Sequence, residues 1–245
     1  RGPYRDTFAV LVGGTTTNGR LVAVQTSNGE EHRGDVFINA TNAWAPRVSA
    51  ILGGSALPIE PVKRYLYFLD RGDVLDEDAL MTWPMIITPS RAYCRPENAE
   101  QLLAGWAHHG VAEPSFDWSD QDVISAQFFH KAGLDNYGFQ LWMQLAEALP
   151  VTAEFAGIQA TTAGFYAITP DHNPLFGFDP KLGGLLHAAG FSGHGAMLGP
   201  FTAAAIAAMA IAGHDLPSVR VDGVDVDLSA MAVGRDFDHG EGMVI

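Results

Sequence analysis

Six residues, Gly190-Phe191-Ser192-Gly193-His194-Gly195, are placed to do chemistry through their backbone. Three glycines in six positions let a ligand press against the main chain and permit a positive φ that other residues avoid. The apolar run Leu185 to Ala189 before them reads as a buried strand, and the alanine-rich run Thr202 to Ala212 after them as a long helix. The N–H groups from Gly193 through Ala196 to Met197 then face outward at the positive end of that helix. Such a corner suits an electron-rich cofactor. Taken alone, it also reads as an ordinary strand-to-helix turn with a capping histidine.

A second group, Thr41-Asn42-Ala43-Trp44, follows Asp35 to Ala40, a nearly continuous apolar run of the kind buried on both faces of a sheet. Ligand contacts gather at strand ends in α/β sheets, so these four residues are candidate cofactor contacts. The alternative is a plain loop with a core tryptophan.

Positioning these groups requires a frame, and the pattern supplies one of α/β class. Thr7 to Val12 and Arg20 to Thr26 read as a hairpin about Thr15-Thr16-Thr17-Asn18-Gly19, closed by a second turn at Ser27-Asn28-Gly29. After Leu57-Pro58-Ile59-Glu60-Pro61, the runs Tyr65 to Leu69, Met85 to Thr88, Ala92 to Arg95 and Leu102 to Trp106 predict a second, antiparallel layer. Helices are expected over Asp120 to Lys131 and Tyr137 to Leu149, the latter stopped by Pro150, and a strand over Gly157 to Thr162. Asp215 to Asp227, with aspartate alternating with valine, reads as a surface strand.

The 245 residues are 47% hydrophobic and 17% charged, which describes a chain able to bury a full core. A net charge of −14 opposes binding to nucleic acid or an anionic membrane. The lone Cys94 fits a reducing compartment, the N-terminus does not resemble a signal peptide, and a cytoplasmic location is the expectation. Gly195 to Gly213 approaches the length of a membrane span, but its alanines, its Pro200 and the preceding glycine turn suit a helix packed on a sheet or cofactor. No nucleophile elbow, phosphate loop or metal-ligand spacing occurs, so no metal is expected.

Four blocks then appear in order: Val36 to Trp44; Leu57-Pro58-Ile59-Glu60-Pro61-Val62-Lys63-Arg64; Gly164 to Gly177, containing Thr169-Pro170-Asp171; and Gly190 to Gly195. Together with Asp227-Leu228-Ser229 and Arg235 in the tail, they resemble the C-terminal two thirds of the D-amino-acid oxidase superfamily of FAD-dependent oxidoreductases. That superfamily includes sarcosine and glycine oxidases and proline and dimethylglycine dehydrogenases. The resemblance implies part of a Rossmann-like FAD-binding domain, residues 1–55 and 162–245, with an antiparallel substrate-binding domain, residues 56–161, inserted in it. It also implies a small amine or amino-acid substrate, oxidised by hydride transfer to the flavin N5. The family opens with a strand, a Gly-x-Gly-x-x-Gly turn and a helix, and no such motif occurs here; Gly13-Gly14 leads into a hairpin turn. The chain is therefore expected to begin partway through the fold, with another segment or chain supplying the dinucleotide-binding part.

Residue by residue, the resemblance places Tyr166 where similar enzymes carry an aromatic group facing substrate. Gly164 stands where some sarcosine oxidases attach FAD through cysteine, so FAD is expected to be noncovalent. Met197 replaces a carboxylate-binding lysine, and Leu103 lies near the position of a lysine that assists reaction with oxygen; both tilt the expectation toward a dehydrogenase. His108, with His109, follows a strand of the substrate layer and could orient an amine or carboxylate. Arg64, Tyr65, Arg91 and Arg95 are candidates for gripping a carboxylate. Two functions stay open: a flavin-dependent amine oxidoreductase, and a noncatalytic subunit of the same fold that binds no flavin.

Overall fold

The computed structural model describes residues 10–106 and 137–237. The expected helix Asp120 to Lys131, and His108 and His109, lie outside the described residues. Contacts divide the chain into one unit of Arg1–Pro61 with Tyr166–Val244 and another that comprises Val62–Phe165.

The first unit opens with β1 (Leu11–Thr17), β2 (Arg20–Thr26) and β3 (Glu31–Arg33), an antiparallel sheet in that order. Its first turn is shorter than the sequence suggests. Thr15 to Thr17 belong to β1, because β-branched residues favour extended backbone. Only Asn18 and Gly19, at φ 51° and 74°, make the two-residue bend.

The central sheet of this unit orders β10 (Leu175–Phe178), β11 (Leu185–Ala189) and β4 (Phe37–Asn39). All of β11 is buried, as five apolar-to-small residues with one histidine allow. It pairs antiparallel with β10 and parallel with β4, Leu186 opposite Ile38. The expectation that Asp35 to Ala40 is buried on both faces is corrected: the strand is three residues long and Ile38 is 51% exposed. Ile38 shares a face with Leu186, the face on which the helix Gly195–Ala212 packs over β10 and β11, and among the described residues β4 pairs on one edge only.

Two helices cover the sheet. α1 (Ala45–Leu52) packs with β1 and β4, and Leu21, Leu52, Leu182 and Leu185 form the core beneath it. α4 (Gly195–Ala212) packs on β10 and β11 from the other side, burying Ala205, Ile206 and Met209 against Phe176, Leu186 and Ala188. By length and composition α4 could cross a membrane; here it lies on the sheet. It begins seven residues earlier than the alanine run, at Gly195, and absorbs Pro200. The Asp215 to Asp227 segment is a hairpin and not one strand. β12 (Ser218–Val221) and β13 (Val224–Asp227) turn at Asp222 and Gly223, whose positive φ values suit an Asp-Gly bend.

A clamp closes this unit. The Arg235 guanidinium donates two hydrogen bonds to the Asp171 carboxylate, each at 2.7 Å, and further bonds to the carbonyls of Asn173, Pro174 and Ala232. Both side chains are almost fully buried.

The second unit holds most of the sheet β6 (Ile86–Ile87), β7 (Ala92–Pro96), β8 (Gln101–Trp106), β5 (Glu60–Asp70) and β9 (Gly157–Ile168), in that order. Between β5 and β6 stands the short α2 (Glu77–Met81), whose Ala79 N–H is capped by the Asp76 carboxylate. Period-two alternation turns Tyr65, Tyr67 and Leu69 toward Leu141 and Leu145 of α3 (Tyr137–Ala148). α3 ends before Pro150, where a turn of tighter helix, Pro150–Glu154, takes over. β9 is twice the expected length.

Candidate cofactor site

The glycine bend follows β11 and is stitched to the end of β9. Gly190 has φ 76°, and a Cβ there would stand 2.6 Å from Thr169 Cγ2 and 3.4 Å from Ile59 Cγ1. Ser192, at φ 49° and buried, donates its N–H to the Ala167 carbonyl at 2.9 Å. Gly193 has φ 94°, and a Cβ there would meet the Tyr166 ring at 2.6 Å. The ring of Tyr166 therefore lies on the bend itself, an arrangement that only glycine admits.

α4 starts at once. His194 occupies its N-cap through the main chain alone; its side chain makes no capping bond, and its carbonyl accepts from Met197 and Leu198 N–H, each at 3.1 Å. This corrects the expectation that the N–H groups from Gly193 to Met197 all face a ligand, since the Met197 N–H is spent inside the first turn. Gly195 and Ala196 open the helix with N–H groups that have no intrahelical acceptor by position. Met197 is 69% exposed, and Gly193 and Ala196 are exposed as well.

The strand-end group meets the bend through one side chain. Asn42 adopts φ 50°, left-handed backbone that asparagine tolerates better than most residues. Its Oδ1 accepts from the N–H groups of Gly190 (3.2 Å) and Phe191 (3.3 Å). Ala43 is buried and Trp44 half-buried at the start of α1, whereas Thr41 is exposed. Thus Thr41, Asn42, Tyr166 and the 190–197 segment come together in one unit. Gly164 lies on β9 two residues before Tyr166, exposed, with open space where a Cβ would point.

Beside the bend, Leu57 to Glu60 and Ile168 to Pro170 line a pocket of about 500 Å³. This is the size of a small-molecule site. Ile59 and Thr169, the two residues that touch Gly190, belong to its wall. Sequence reading named neither segment as a site, although both stand in the blocks quoted above.

It also missed a buried polar chain behind Thr41. The Thr41 hydroxyl donates to Asn39 Oδ1 at 2.7 Å, Asn39 Nδ2 lies 3.3 Å from His187 Nδ1, and His187 Nε2 lies 3.0 Å from Asp179 Oδ2. Asp179 accepts further from the Ser55 N–H and hydroxyl and from the N–H groups of Lys181 and Leu182. The lone histidine in Leu185-Leu186-His187-Ala188-Ala189 was the available signal. Burial pulls the His187 imidazole below its ordinary value against the opposing attraction of Asp179. Burial raises Asp179, but His187 and the three N–H donors outweigh it and hold the carboxyl below the usual range.

Both groups act on stability in the same direction. A depressed folded value contributes stability above the unfolded value, and that contribution is lost as the pH falls toward the folded one. Acidification is therefore expected to weaken the fold first below 6.5, the ordinary histidine value, and again below 3.8, that of aspartate. Denaturation midpoints measured from pH 8 to pH 3 check this; His187→Gln should abolish the first decline, and an unchanged profile in that variant would refute the assignment.

Tyr65 is 6% exposed and packed in the core, because its register turns it toward α3. Arg95 pairs with Glu97 at 2.7 Å at the surface, and Arg91 sits in an exposed turn at φ 66°. Among the described residues no three His, Cys, Asp or Glu side chains are grouped to hold a metal.

The bend, the helix start and the adjoining pocket fit a flavin edge: glycines bring backbone within reach, and Gly195 and Ala196 offer unspent donors. Residues 9–209 match the DAO family, described as FAD dependent oxidoreductase. The chain belongs to this family. A FAD-dependent oxidoreductase domain-containing protein 1 of Xenopus laevis is 31% identical over 209 residues, covering 78% of this chain and 38% of that protein. The mitochondrial sarcosine dehydrogenase of Mus musculus is 28% identical over 187 residues, covering 74% and 18%. The solved L-proline dehydrogenase from P. horikoshii superimposes with a TM-score of 0.68 at 25% identity, covering 84% of this chain and 50% of that one. The DAO-family chain thus spans half or less of the length of these relatives. Its mixed helices and antiparallel sheets are those of the family fold.

Proposed function

We propose that the chain is part of a DAO-family enzyme that oxidises a secondary amine or amino acid, with FAD held noncovalently. Bound FAD would supply an acceptor for the hydride that leaves the carbon next to nitrogen. Thr41 to Trp44 and the 190–197 segment hold the cofactor. The Gly195 and Ala196 N–H groups stabilise the negative charge that builds on the flavin pyrimidine edge, where an oriented helix start is worth most. Tyr166, pinned on Gly193, forms an aromatic wall for substrate, and His108 orients its polar group. The observation that carries this reading is the bend itself, clamped by Asn42 and set against a ligand-sized pocket.

The bare edge of β4 and the exposed Ile38 support docking of a further parallel strand there. We assign that place to the dinucleotide-binding segment, supplied by the rest of the natural protein or by another chain. Met197 and Leu103, standing where similar oxidases carry lysines, tilt the reading toward a dehydrogenase, while the matched structures include both a proline dehydrogenase and glycine oxidases.

The test is flavin uptake followed by turnover. The chain, purified alone and together with a Gly-x-Gly-x-x-Gly segment, should acquire flavin absorbance in the second case, and the complex should be bleached by glycine, sarcosine, proline or dimethylglycine without oxygen. A colourless complex that refuses added FAD would assign a noncatalytic role, and a stoichiometric peroxide yield would make it an oxidase.

A further inference from the structure

The polar chain behind Thr41 has a direction, and each link of it can be fixed from obligate donors and acceptors. Thr41 N–H lies 3.4 Å from one amide atom of Asn39; a main-chain N–H only donates, so that atom is Oδ1. The other amide atom lies 3.0 Å from the Ala45 carbonyl, which only accepts, so it is Nδ2. The second Nδ2 hydrogen faces His187 Nδ1, which must then be unprotonated. The single imidazole proton sits on Nε2 and points at Asp179 Oδ2. Asp179 is an acceptor throughout, since three main-chain N–H groups already converge on it.

Every hydrogen bond therefore runs inward, from Thr41 through Asn39 and His187 to a carboxylate that is fully buried. Bonds aligned in this way polarise one another. The Thr41 hydroxyl has one hydrogen and it is committed to Asn39 at 2.7 Å. What it presents at the surface is lone pairs, made more basic by the anion at the far end.

We infer that Asn39 and His187 are positioning residues that set Thr41 as an acceptor-only contact for a hydroxyl or N–H donor of the bound flavin cofactor. The inference rests on the flavin reading for the identity of the ligand, and on geometry alone for the direction of the chain. A threonine in this setting discriminates between ligand groups: it welcomes a donor and repels a carbonyl or phosphate oxygen.

Two measurements test it. Long-range proton–nitrogen spectra of the chain labelled with nitrogen-15 histidine should show His187 as the neutral tautomer protonated on Nε2 at pH 7. In Asn39→Asp, where an acceptor oxygen replaces Nδ2, His187 should also take up a proton at Nδ1. The opposite tautomer in the unsubstituted chain, or an unshifted His187 in the variant, overturns the relay whether or not flavin binds. For the ligand, FAD affinity is read by quenching of flavin fluorescence in the complex with the dinucleotide-binding segment. Thr41→Val should weaken it about five- to tenfold, the scale of one neutral hydrogen bond, while Thr41→Ser stays within about twofold. Equal affinity in Thr41→Val overturns the acceptor role. If the unsubstituted complex takes up no FAD, the flavin reading fails with it as the identity of the ligand, and the spectra still decide the relay.

Discussion

Arg235→Ala is expected to cost the first unit about 3–5 kcal/mol, the scale for removing one partner of a buried ion pair. The reason is what remains behind. Asp171 is 2% exposed, and without the guanidinium its carboxylate keeps the Asn173 N–H at 3.1 Å and the Thr169 side chain. The Pro174 carbonyl loses its donor in the same step, while the Asn173 and Ala232 carbonyls fall back on the Thr169 hydroxyl and the main-chain N–H of position 235. Burial alone raises the Asp171 carboxyl, and it is Arg235 first, with Asn173 and Thr169 after it, that holds it below the usual range. Lysine at 235 should recover only part of the loss, because a single ammonium has no paired fork to match both carboxylate oxygens. Urea denaturation of Arg235→Ala, Asp171→Asn and the double variant reads the coupling directly. A loss under about 1 kcal/mol in Arg235→Ala would mean that the pair behaves like an exposed one.

The second large effect is expected at Gly193. Alanine there must adopt φ 94° and place its Cβ 2.6 Å from the Tyr166 ring. Strained backbone of this kind costs about 1–3 kcal/mol by itself. The clash comes in addition, and it moves the aromatic ring that forms the proposed substrate wall. Gly193→Ala should therefore lower the denaturation midpoint and abolish flavin retention together. Combining it with Tyr166→Ala separates the two causes: the ring clash disappears, the φ strain stays. Gly199 is the internal control. It lies within α4 with open space where a Cβ would point, so Gly199→Ala should be neutral or stabilise by up to about 1 kcal/mol. Equal damage at both positions would show that the bend has no special demand for glycine.

Much of this frame could be read from residue order. Leu185 to Ala189 is a strand, the 190–195 bend is a turn with positive φ at Gly190, Ser192 and Gly193, and a helix follows. Local pattern and tertiary structure agree there because an apolar run favours a buried strand, an alanine run favours helix, and glycine admits the positive φ that the bend between them requires. The errors fell where the outcome depends on partners distant in sequence. Phe37 to Asn39 reads as buried on both faces from its apolar composition, but that needs a packed layer over each face, and composition does not report what packs there. Tyr65 was a plausible ligand-gripping residue until the register of β5 turned it inward. Asn42 stands in the sequence only as one of four candidate contacts; that its carboxamide bonds to amides 148 and 149 positions away is set by the folded sheet. The Asn39, His187 and Asp179 chain depends likewise on three segments meeting, and only the oddity of a histidine among apolar neighbours hinted at it.

The outer side of α4 carries a last consequence. Ala196, Pro200, Ala203, Ala207 and Ile211 follow one another along it, all exposed, with Ile211 at 89%. Mutual repulsion from a net charge of −14 keeps copies of the chain apart in dilute buffer. Salt shortens the reach of that repulsion to about 8 Å at physiological strength, while leaving the greasy flank of the helix as sticky as before. Colloidal behaviour of the isolated chain is then a contest between ionic atmosphere and helix flank.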